Sequence, residues 1–349
     1  MTSASRSIAV AVSGGLDSLY ALIDLHARGL AAMALHARLL PPGIENDPVP
    51  GLTRICERLG LPLHVVEARR EFAERVIRPF VTEYAAARTP NPCARCNARI
   101  KFGLLLDAAR DLGAVHLATG HYAAWAEHPI YGPALRRGTD ERKDQSYFLA
   151  LAPGERLASA VFPLAEQNKA QLAARLAGLD YKAPLPGESQ EICFVPGNAY
   201  RPFMRQQGVA LPGPGPIELA DGRVIGRHEG LWLYTEGQRR GLGLSWSEPL
   251  YVLAKNTTRN ALIVVGRDAL LADSCTGREL NELVPRALWP DALYVQTRYR
   301  QRAVPATVHV DSDRIAVRFA APQTPAAPGQ ILAVYDARGW VLAGASIDS

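Results

Sequence analysis

The apolar run Ile8-Ala9-Val10-Ala11-Val12 feeds directly into Ser13-Gly14-Gly15-Leu16-Asp17-Ser18 and then into an apolar-periodic segment over 19–30. That order predicts a buried strand, a tight glycine turn and a helix. In this arrangement successive backbone N–H groups and the positive end of a helix dipole converge on an anion. The first half keeps alternating, with strands near 7–12, 31–36, 63–67 and 114–119 and helices near 18–28, 51–59, 71–87 and 99–112. Such alternation implies a parallel sheet with right-handed crossovers, whose ligands collect at the carboxyl ends of the strands. His36, Gly120 and His121 fall at such ends, together with residues 13–18.

The turn itself narrows the ligand. It lacks the Lys-Ser/Thr ending of a Walker P-loop and is not a G-x-G-x-x-G fingerprint, so neither a GTPase-like nor a dinucleotide reading fits. S-G-G-x-D-S instead resembles the PP-loop of the N-type ATP pyrophosphatases, which cleave ATP between its α and β phosphates and adenylate a carbonyl oxygen. The resemblance implies that Ser13, Gly14, Gly15, Leu16, Asp17 and Ser18 bind ATP, and that Asp17 helps hold Mg²⁺ near the pyrophosphate. The plain structural reading is a strand-to-helix turn capped by Asp17 or Ser18.

With 349 residues the chain has room for two or three domains, and 48% hydrophobic with 21% charged residues is a globular rather than a disordered composition. The 39 Lys and Arg against 34 Asp and Glu, a net +5, tolerate a polyanionic partner without demanding one. No apolar run approaches the roughly 18 residues that span a bilayer, and Met1-Thr2-Ser3-Ala4-Ser5-Arg6 leads into a strand rather than a signal sequence. The expectation is a cytoplasmic protein with no membrane partner. Five cysteines, an odd number, do not make a secreted disulfide framework, which leaves core, metal-binding or catalytic roles.

A further helix is predicted near 166–177, after which Pro184 and Pro186 open an irregular stretch. Beyond Leu211-Pro212-Gly213-Pro214-Gly215-Pro216 the texture changes to short β-like runs at 231–235, 250–254 and 261–265. After a second break around 284–290, the runs 293–299, 306–310, 315–319 and 331–335 read as a small closed or nearly closed β-barrel. The expected fold is therefore α/β: a parallel-sheet nucleotide domain over 1–205, a small central β-rich domain over 206–284 and a C-terminal β-barrel over 285–349.

Cys93 and Cys96 form a C-x-x-C pair in Thr89-Pro90-Asn91-Pro92-Cys93-Ala94-Arg95-Cys96-Asn97, read as a proline-stiffened loop before a helix starting near Arg99. Arg95, Arg99 and a nearby helix N-terminus would favour a Cys96 thiolate. With Cys193 in Glu188-Ser189-Gln190-Glu191-Ile192-Cys193-Phe194, three cysteines admit a persulfide relay, an iron–sulfur cluster with one open iron, or half of a zinc site. No second C-x-x-C or H-x₃₋₅-H completes a zinc set. Cys56, among Leu52, Ile55 and Leu59 at helical spacing, reads as core, and Cys275 reads as a loop residue.

SGGLDS, TPNPCARCNARIKFG (89–103), ATGHY (118–122), KDQSYFLA (143–150), EICFV (191–195), GRHEGLWLYTEGQRRGLGL (226–244) and RYRQ (298–301) together resemble the tRNA-specific 2-thiouridylases, in order over nearly the whole chain. The resemblance implies an N-terminal PP-loop ATP pyrophosphatase domain of the adenine nucleotide alpha hydrolase-like type, then the central domain and the barrel. It also implies the reaction: ATP with Mg²⁺ adenylates the C2 carbonyl of the wobble uridine of tRNA, and sulfur from a cysteine persulfide replaces that oxygen. A persulfide-carrying donor protein or sulfide would supply the sulfur.

Carried over residue by residue, the resemblance makes Cys96 the nucleophile and Cys193 the persulfide bearer, the two finishing as a disulfide. Gly120 and His121 match positions facing ATP and tRNA, and His36 stands where many members place a Met against the adenine. Asn91, Pro92 and Cys93 match the segment framing the target base, while Lys143, Asp144, Gln145, Arg298, Tyr299 and Gln330 match tRNA contacts. Arg136-Arg137, Arg239-Arg240 and residues 299–302 add basic clusters suited to phosphate. Some members carry Asp where Cys93 stands, so Cys93, Cys96 and Cys193 together also suit a [4Fe-4S] cluster. Residues 188–191 depart from the family's Asp-Ser-Thr-Gly-like stretch, and Glu191 would raise the neighbouring thiol's pKa if it pointed inward.

Overall fold

The alternating half of the chain folds into a parallel sheet. The computed structural model describes residues 8–43, 47–185, 192–195, 197 and 199–349. Strands β1 (Ile8–Ala11), β2 (Ala31–Arg38), β3 (Leu63–Glu67) and β4 (His116–Ala118) are followed by a hairpin of β5 (Ala123–His128) and β6 (Gly132–Arg137) and by a two-residue β7 (Ala160–Val161). The sheet order is β3-β2-β1-β4-β7 with parallel neighbours throughout, while β5 and β6 pair antiparallel outside it.

Alternate residues of these strands point to opposite faces. Val10, Ala34 and Ala118 pack under the helix Leu16–Ala27, whereas Ala9, Leu35 and Leu117 pack against Leu106 and Ala109 of the helix Leu106–Asp111. Burial on both faces is why β1, β2 and β4 read as short apolar runs, whereas β3, at the sheet edge, is only partly buried. The chain travels from β1 out to β3 and returns on the other side of β1. The order therefore reverses between β1 and β4, and the loops leaving their carboxyl ends border one crevice.

The central domain is a sheet of β8 (Gly215–Leu219), β9 (Val224–His228), β10 (Tyr251–Asn256) and β11 (Ala261–Val265), in the order β10-β11-β8-β9. The β-like run at 231–235 is not a strand. Leu231–Leu233 is a 3₁₀ turn, and Leu231, Trp232, Leu233 and Tyr234 are all buried in a cluster shared with Phe72, Phe80 and Cys96 of the first domain. Four consecutive buried side chains suit a plug between domains, because a one-sided strand would alternate.

The C-terminal barrel is closed by six strands: β12 (Ala272–Glu282), β13 (Leu293–Gln296), β14 (Val304–Asp311), β15 (Arg314–Gln323), β16 (Ile331–Tyr335) and β17 (Val341–Ile347), ordered β12-β15-β14-β13-β16-β17. It takes in β12, which precedes residue 285, and Cys275 is a buried barrel residue there rather than part of a loop. β14 alternates because one side faces water, whereas β16 is buried throughout. Ile331, Ala333 and Tyr335 pack with Tyr147, Leu149 and Ala150, which docks the barrel on the first domain. No helix among the described residues is long and apolar enough to cross a membrane.

Arg88 locks that docking from the other side. Its Nε lies 2.6 Å from Glu83 Oε2, Nη1 lies 3.2 Å from Asp348 Oδ1, and Nη2 donates to the Ile347 carbonyl at 2.6 Å. The side chain is only 17% exposed, and its loss would leave Glu83 with Arg278 at 3.2 Å and Asp348 with Arg278 at 3.6 Å and Arg314 at 3.7 Å, so charge is still balanced but the short bonds to Arg88 are gone. Arg88→Ala is expected to destabilise the protein by about 1–3 kcal/mol, the loss of its charged hydrogen bonds, read as a lower urea midpoint. Arg88→Lys should recover little, because a point ammonium cannot make the same fork of bonds.

Candidate functional site

Residues 13–18 leave β1 at the reversal of strand order and are held tightly. Ser18 Oγ donates to the Gly15 carbonyl at 3.0 Å and accepts the Ser13 N–H at 3.1 Å, and the helix Leu16–Ala27 starts inside the turn. Gly14 has φ +89°, and a Cβ there would meet Pro48 Cβ at 2.5 Å, so only glycine fits. Gly120, just beyond β4, lies against the same turn: a Cβ on it would sit 2.8 Å from both the Asp17 carbonyl carbon and the Ser18 nitrogen. Two segments far apart in the chain are thus joined backbone to backbone.

His36 is buried on β2, and its Nδ1–H donates to the Val12 carbonyl at 2.8 Å. The imidazole therefore braces the entry to the turn instead of lying on the surface. Burial lowers its pKa, with the Val12 carbonyl opposing. Asp17 is already paired. Tyr122 Oη donates to its Oδ1 at 3.0 Å, and Lys169 Nζ lies 2.8 and 2.6 Å from its two oxygens. Sequence reading missed both partners. The Asp17 carboxylate still fits a magnesium–phosphate ligand, being a hard oxygen donor at the helix start, and Mg²⁺ would neutralise phosphate charge there.

Cys93 and Cys96 differ most from expectation. The helix begins at Pro92, not near Arg99: Asn91 Oδ1 caps it by accepting the Ala94 N–H at 3.1 Å, and Pro92 takes the first helical position. Both cysteines stand in its opening turns. Cys96 is buried, and desolvation pushes its thiol up to about 11 despite the positive charge of Lys101. The expected thiolate-favouring surroundings are therefore absent. Arg95 turns to Glu279 at 3.8 Å and Arg99 is exposed, so neither offsets burial. Cys93 reaches solvent, yet enough protein surrounds it that desolvation raises its thiol too, again against Lys101.

Lys101 lies on the π-helical stretch Asn97–Leu105, and such wide turns recur at functional sites. Its Nζ donates to His121 Nε2 at 3.3 Å, while His121 Nδ1–H reaches Thr119 Oγ1 at 2.8 Å. Because an ammonium only donates, Nε2 is the unprotonated nitrogen. Burial, then Lys101, holds the His121 pKa well below its ordinary value. Lys101→Met removes the cation that opposes the rise of the Cys96 thiol, so thiolate at fixed pH falls. Iodoacetamide modification of Cys96 at pH 8, followed by peptide mass spectrometry, is expected to slow about three- to tenfold.

Cys193 is exposed, and the next residue, Phe194, packs edge-on against Phe80 at 5.0 Å and Phe72 at 5.7 Å. Phe194 and Cys96 thereby share one cluster. No disulfide joins Cys56, Cys93, Cys96, Cys193 or Cys275 among the described residues. Among the described residues no three His, Cys, Asp or Glu side chains gather as a metal site, so Cys93, Cys96 and Cys193 as they stand do not make the ligand set of an iron–sulfur cluster. Glu188 to Glu191 lie outside the described residues.

The loop ahead of Cys93 meets all three domains. Gln330 Nε2 donates to the Thr89 and Pro90 carbonyls at 2.9 and 3.1 Å, Asn91 Nδ2 lies 3.5 Å from Gln330 Oε1, and Thr89 Oγ1 meets Thr235 Oγ1 at 3.1 Å. Gln330 is thus a loop brace as well as a candidate RNA contact.

Asp144 has to be corrected: it is buried, accepts from the Gly138 and Ser146 N–H groups and the Ser146 hydroxyl, and faces Arg137 at 3.5 Å. Its oxygens are used inside the protein. Arg137 itself stacks on Tyr335 at 4.0 Å and bonds Gln296, so it is knit into the fold rather than held out for phosphate. Gln145 bonds the Tyr122 backbone in both directions, and Lys143 is half-buried beside it. Arg298 donates to the Glu236 and Pro325 carbonyls, Tyr299 packs on Phe148 at 4.5 Å, and Arg239, Arg240 and Arg300 remain exposed.

Family models match three consecutive stretches: the tRNA methyl transferase HUP domain over residues 6–197, the tRNA methyl transferase PRC-barrel domain over 204–266 and the aminomethyltransferase beta-barrel domain over 273–347. A tRNA-specific 2-thiouridylase MnmA from Nitratidesulfovibrio vulgaris is 54% identical over 341 residues, covering 98% of each chain. The protein of the same name from Lawsonia intracellularis is 51% identical over 348 residues, covering 98% of this chain and 99% of its own. Among solved structures, the U34-tRNA thiolase NcsA of Methanococcus maripaludis, which carries a [4Fe-4S] cluster, matches at 19% identity with a TM-score of 0.34. That match covers 59% of this chain and 74% of the other, a likeness too loose to bear on this chain's cofactors.

Proposed function

Because this chain belongs to the tRNA-specific 2-thiouridylase family, we propose that it replaces the C2 oxygen of the wobble uridine of tRNA with sulfur at the expense of ATP. One observation carries the reading: the Lys101–His121 hydrogen bond ties the cysteine-bearing helix to the strand end where Gly120 abuts the Asp17–Ser18 backbone. An anion-cradling turn and the helix that bears Cys93 and Cys96 then belong to one site.

In this reading the triphosphate rests on the N–H groups and hydroxyls of residues 13–18, with His36 bordering the nucleotide. The uridine O2 attacks the α-phosphorus, the α–β bridging bond breaks, and pyrophosphate leaves with its electron pair. Oxygen becomes a leaving group only once adenylated. Asn91, Pro92 and Cys93 frame a uridine drawn out of its stack, and His121 faces it. Lys143, Gln145, Arg298, Tyr299 and Gln330 border the path of the RNA, and Arg239, Arg240 and Arg300 meet its backbone.

The burial of the two thiols divides their roles. Cys193, exposed, attacks the outer sulfur of a donor protein's persulfide and takes it as its own persulfide while the donor thiol leaves, whereas Cys96 is reached only from within. The Cys96 thiolate attacks the inner sulfur of the Cys193 persulfide and expels hydrosulfide, which adds to C2 as AMP leaves. Cys96 and Cys193 finish as a disulfide that a thiol reductant reopens. A cytoplasmic setting, where tRNA, ATP and reducing thiols meet, follows from the reading.

Purified protein with tRNA, ATP, Mg²⁺ and a persulfide source should form 2-thiouridine by nucleoside mass spectrometry, with tRNA-dependent pyrophosphate release. If neither product forms while a control enzyme works, the proposal is wrong. Iron and sulfide analysis of anaerobically purified protein, repeated on Cys93→Ala, separates two sulfur routes. Iron lost in the variant assigns a cluster, and none in either assigns the relay.

A further inference from the structure

Asp17 and Lys169 are 152 positions apart, yet the Lys169 ammonium lies 2.8 and 2.6 Å from the two carboxylate oxygens of Asp17. Lys169 is the first residue of the helix Lys169–Gly178, whose start is fixed by Asn168 Oδ1 accepting the Ala170 N–H at 3.0 Å. Leu172 and Leu176 of that helix pack in one cluster with Leu19, Tyr20 and Ile23 of the helix that begins in the glycine turn. Arg175 adds bonds to Tyr20 Oη at 3.1 Å and to Gln167 at 2.6 Å. The two helices are therefore joined without help from the ion pair, and the packing delivers Lys169 to the mouth of the turn.

A carboxylate in an anion-cradling turn is an electrostatic contradiction. N–H groups and the helix dipole draw phosphate in, while Asp17 pushes it away unless a cation sits on it. Magnesium can be that cation once nucleotide is present. Lys169 already is one. Its ammonium sits on a flexible four-carbon stem and can swing to an adjacent oxygen with the backbone still. Lys169 is 15% and Asp17 28% exposed, so the pair is partly desolvated and opens to solvent mainly on the Asp17 side. The Tyr122 ring, 5.6 Å from Nζ, and its hydroxyl on Asp17 keep both groups aimed at the turn.

We infer that Lys169 is a phosphate ligand of the adenylation site: it neutralises Asp17 before nucleotide arrives, passes to the β- and γ-phosphates when Mg²⁺ takes Asp17, and stays on the departing pyrophosphate. The inference rests on the adenylation reading and adds a residue to it. As the α–β bond breaks, the electron pair moves to the leaving oxygen, and the Lys169 charge meets it there. An interaction that strengthens as charge develops lowers the barrier itself.

Binding of Mg·ATP, Mg·pyrophosphate and AMP to the full-length protein, measured calorimetrically beside tRNA affinity, tests this. Lys169→Met is expected to weaken Mg·ATP and Mg·pyrophosphate about tenfold or more, the loss of a charge-assisted hydrogen bond. AMP and tRNA binding should stay within about twofold, and Lys169→Arg should restore most of the loss. Equal weakening of AMP and ATP, or unchanged or tighter Mg·ATP binding by Lys169→Met, would overturn the inference while leaving adenylation intact. Wild-type protein that binds neither ATP nor pyrophosphate would remove both. If methionine prevents folding, seen as lost tRNA binding, Lys169→Gln supplies the same comparison.

Discussion

Cys193→Ser is expected to take 2-thiouridine formation down to background, a fall of about a thousandfold or more, while tRNA affinity stays within about twofold and tRNA-dependent pyrophosphate release continues. A hydroxyl cannot hold a persulfide, so the adenylated uridine forms and waits. Cys193 is the exposed member of the proposed pair, whereas Cys96 is buried among Phe80, Ile100 and Phe194, where a donor protein cannot reach it. Millimolar sulfide should partly rescue Cys193→Ser, because hydrosulfide can attack the adenylated C2 directly. Cys96→Ser should instead load persulfide, detectable by mass, and fail to discharge it. If Cys193→Ser thiolates at the wild-type rate with a protein donor, the assignment of Cys193 fails. Loss of pyrophosphate release as well would place Cys193 in adenylation instead.

The pH dependence of the discharge step follows from burial. The Cys96 thiol is pushed up to about 11 by desolvation, so at neutral pH the thiol is the resting form and thiolate grows with rising pH. Single-turnover discharge of preloaded persulfide should accelerate as pH rises from 7 to 9, close to tenfold per unit while the thiolate fraction is small. For stability the sign is opposite. A thiol whose pKa is higher in the fold than in the unfolded chain favours the fold below its unfolded pKa, and that contribution fades as pH climbs toward 11.

What the sequence discloses depends on how local the physics is. β1, β2 and β4 are buried on both faces, so each appears as a short apolar run, and Ile331–Tyr335 is legible for the same reason. The 231–235 run looks like another strand because composition cannot separate a strand from a plug wedged between domains. Helix formation at Pro92–Cys96 was hidden by its prolines, which read as loop until Asn91 is seen to cap and Pro92 to open the helix.

The pairings that build the site are the least local. Nothing near Asp17 announces Lys169, and nothing near Cys96 says that Lys101, one π-turn on, will bond His121. Asp144 shows the converse. In sequence it sits in a charged, RNA-like segment beside Lys143, yet the fold turns it inward to cap Gly138 and Ser146. A charge that looks solvated in one dimension can be the internal anchor of a domain junction in three.

Gly120→Ala is expected to abolish adenylation while sparing the fold and tRNA binding. A methyl on Gly120 would lie 2.8 Å from the Asp17 carbonyl carbon and the Ser18 nitrogen and 3.0 Å from the Asp17 oxygen. All three are backbone atoms, so no side-chain rotation relieves the clash and the turn must move away from β4. The displaced atoms belong to the residues that present Asp17 and Ser18 Oγ, and a shift of about an ångström at reacting groups can cost about a hundredfold. Because φ at Gly120 lies outside the left-handed region, the substitution carries no backbone strain of its own, and its effect should concentrate on the nucleotide. Mg·ATP binding should weaken about a hundredfold or more and tRNA-dependent pyrophosphate release should disappear, with tRNA affinity unchanged. Gly213→Ala, where an added Cβ meets nothing within 4 Å, is the matched control and should behave as wild type. Normal ATP binding by Gly120→Ala would mean that the turn and β4 separate freely, and that the contact between them does not position nucleotide.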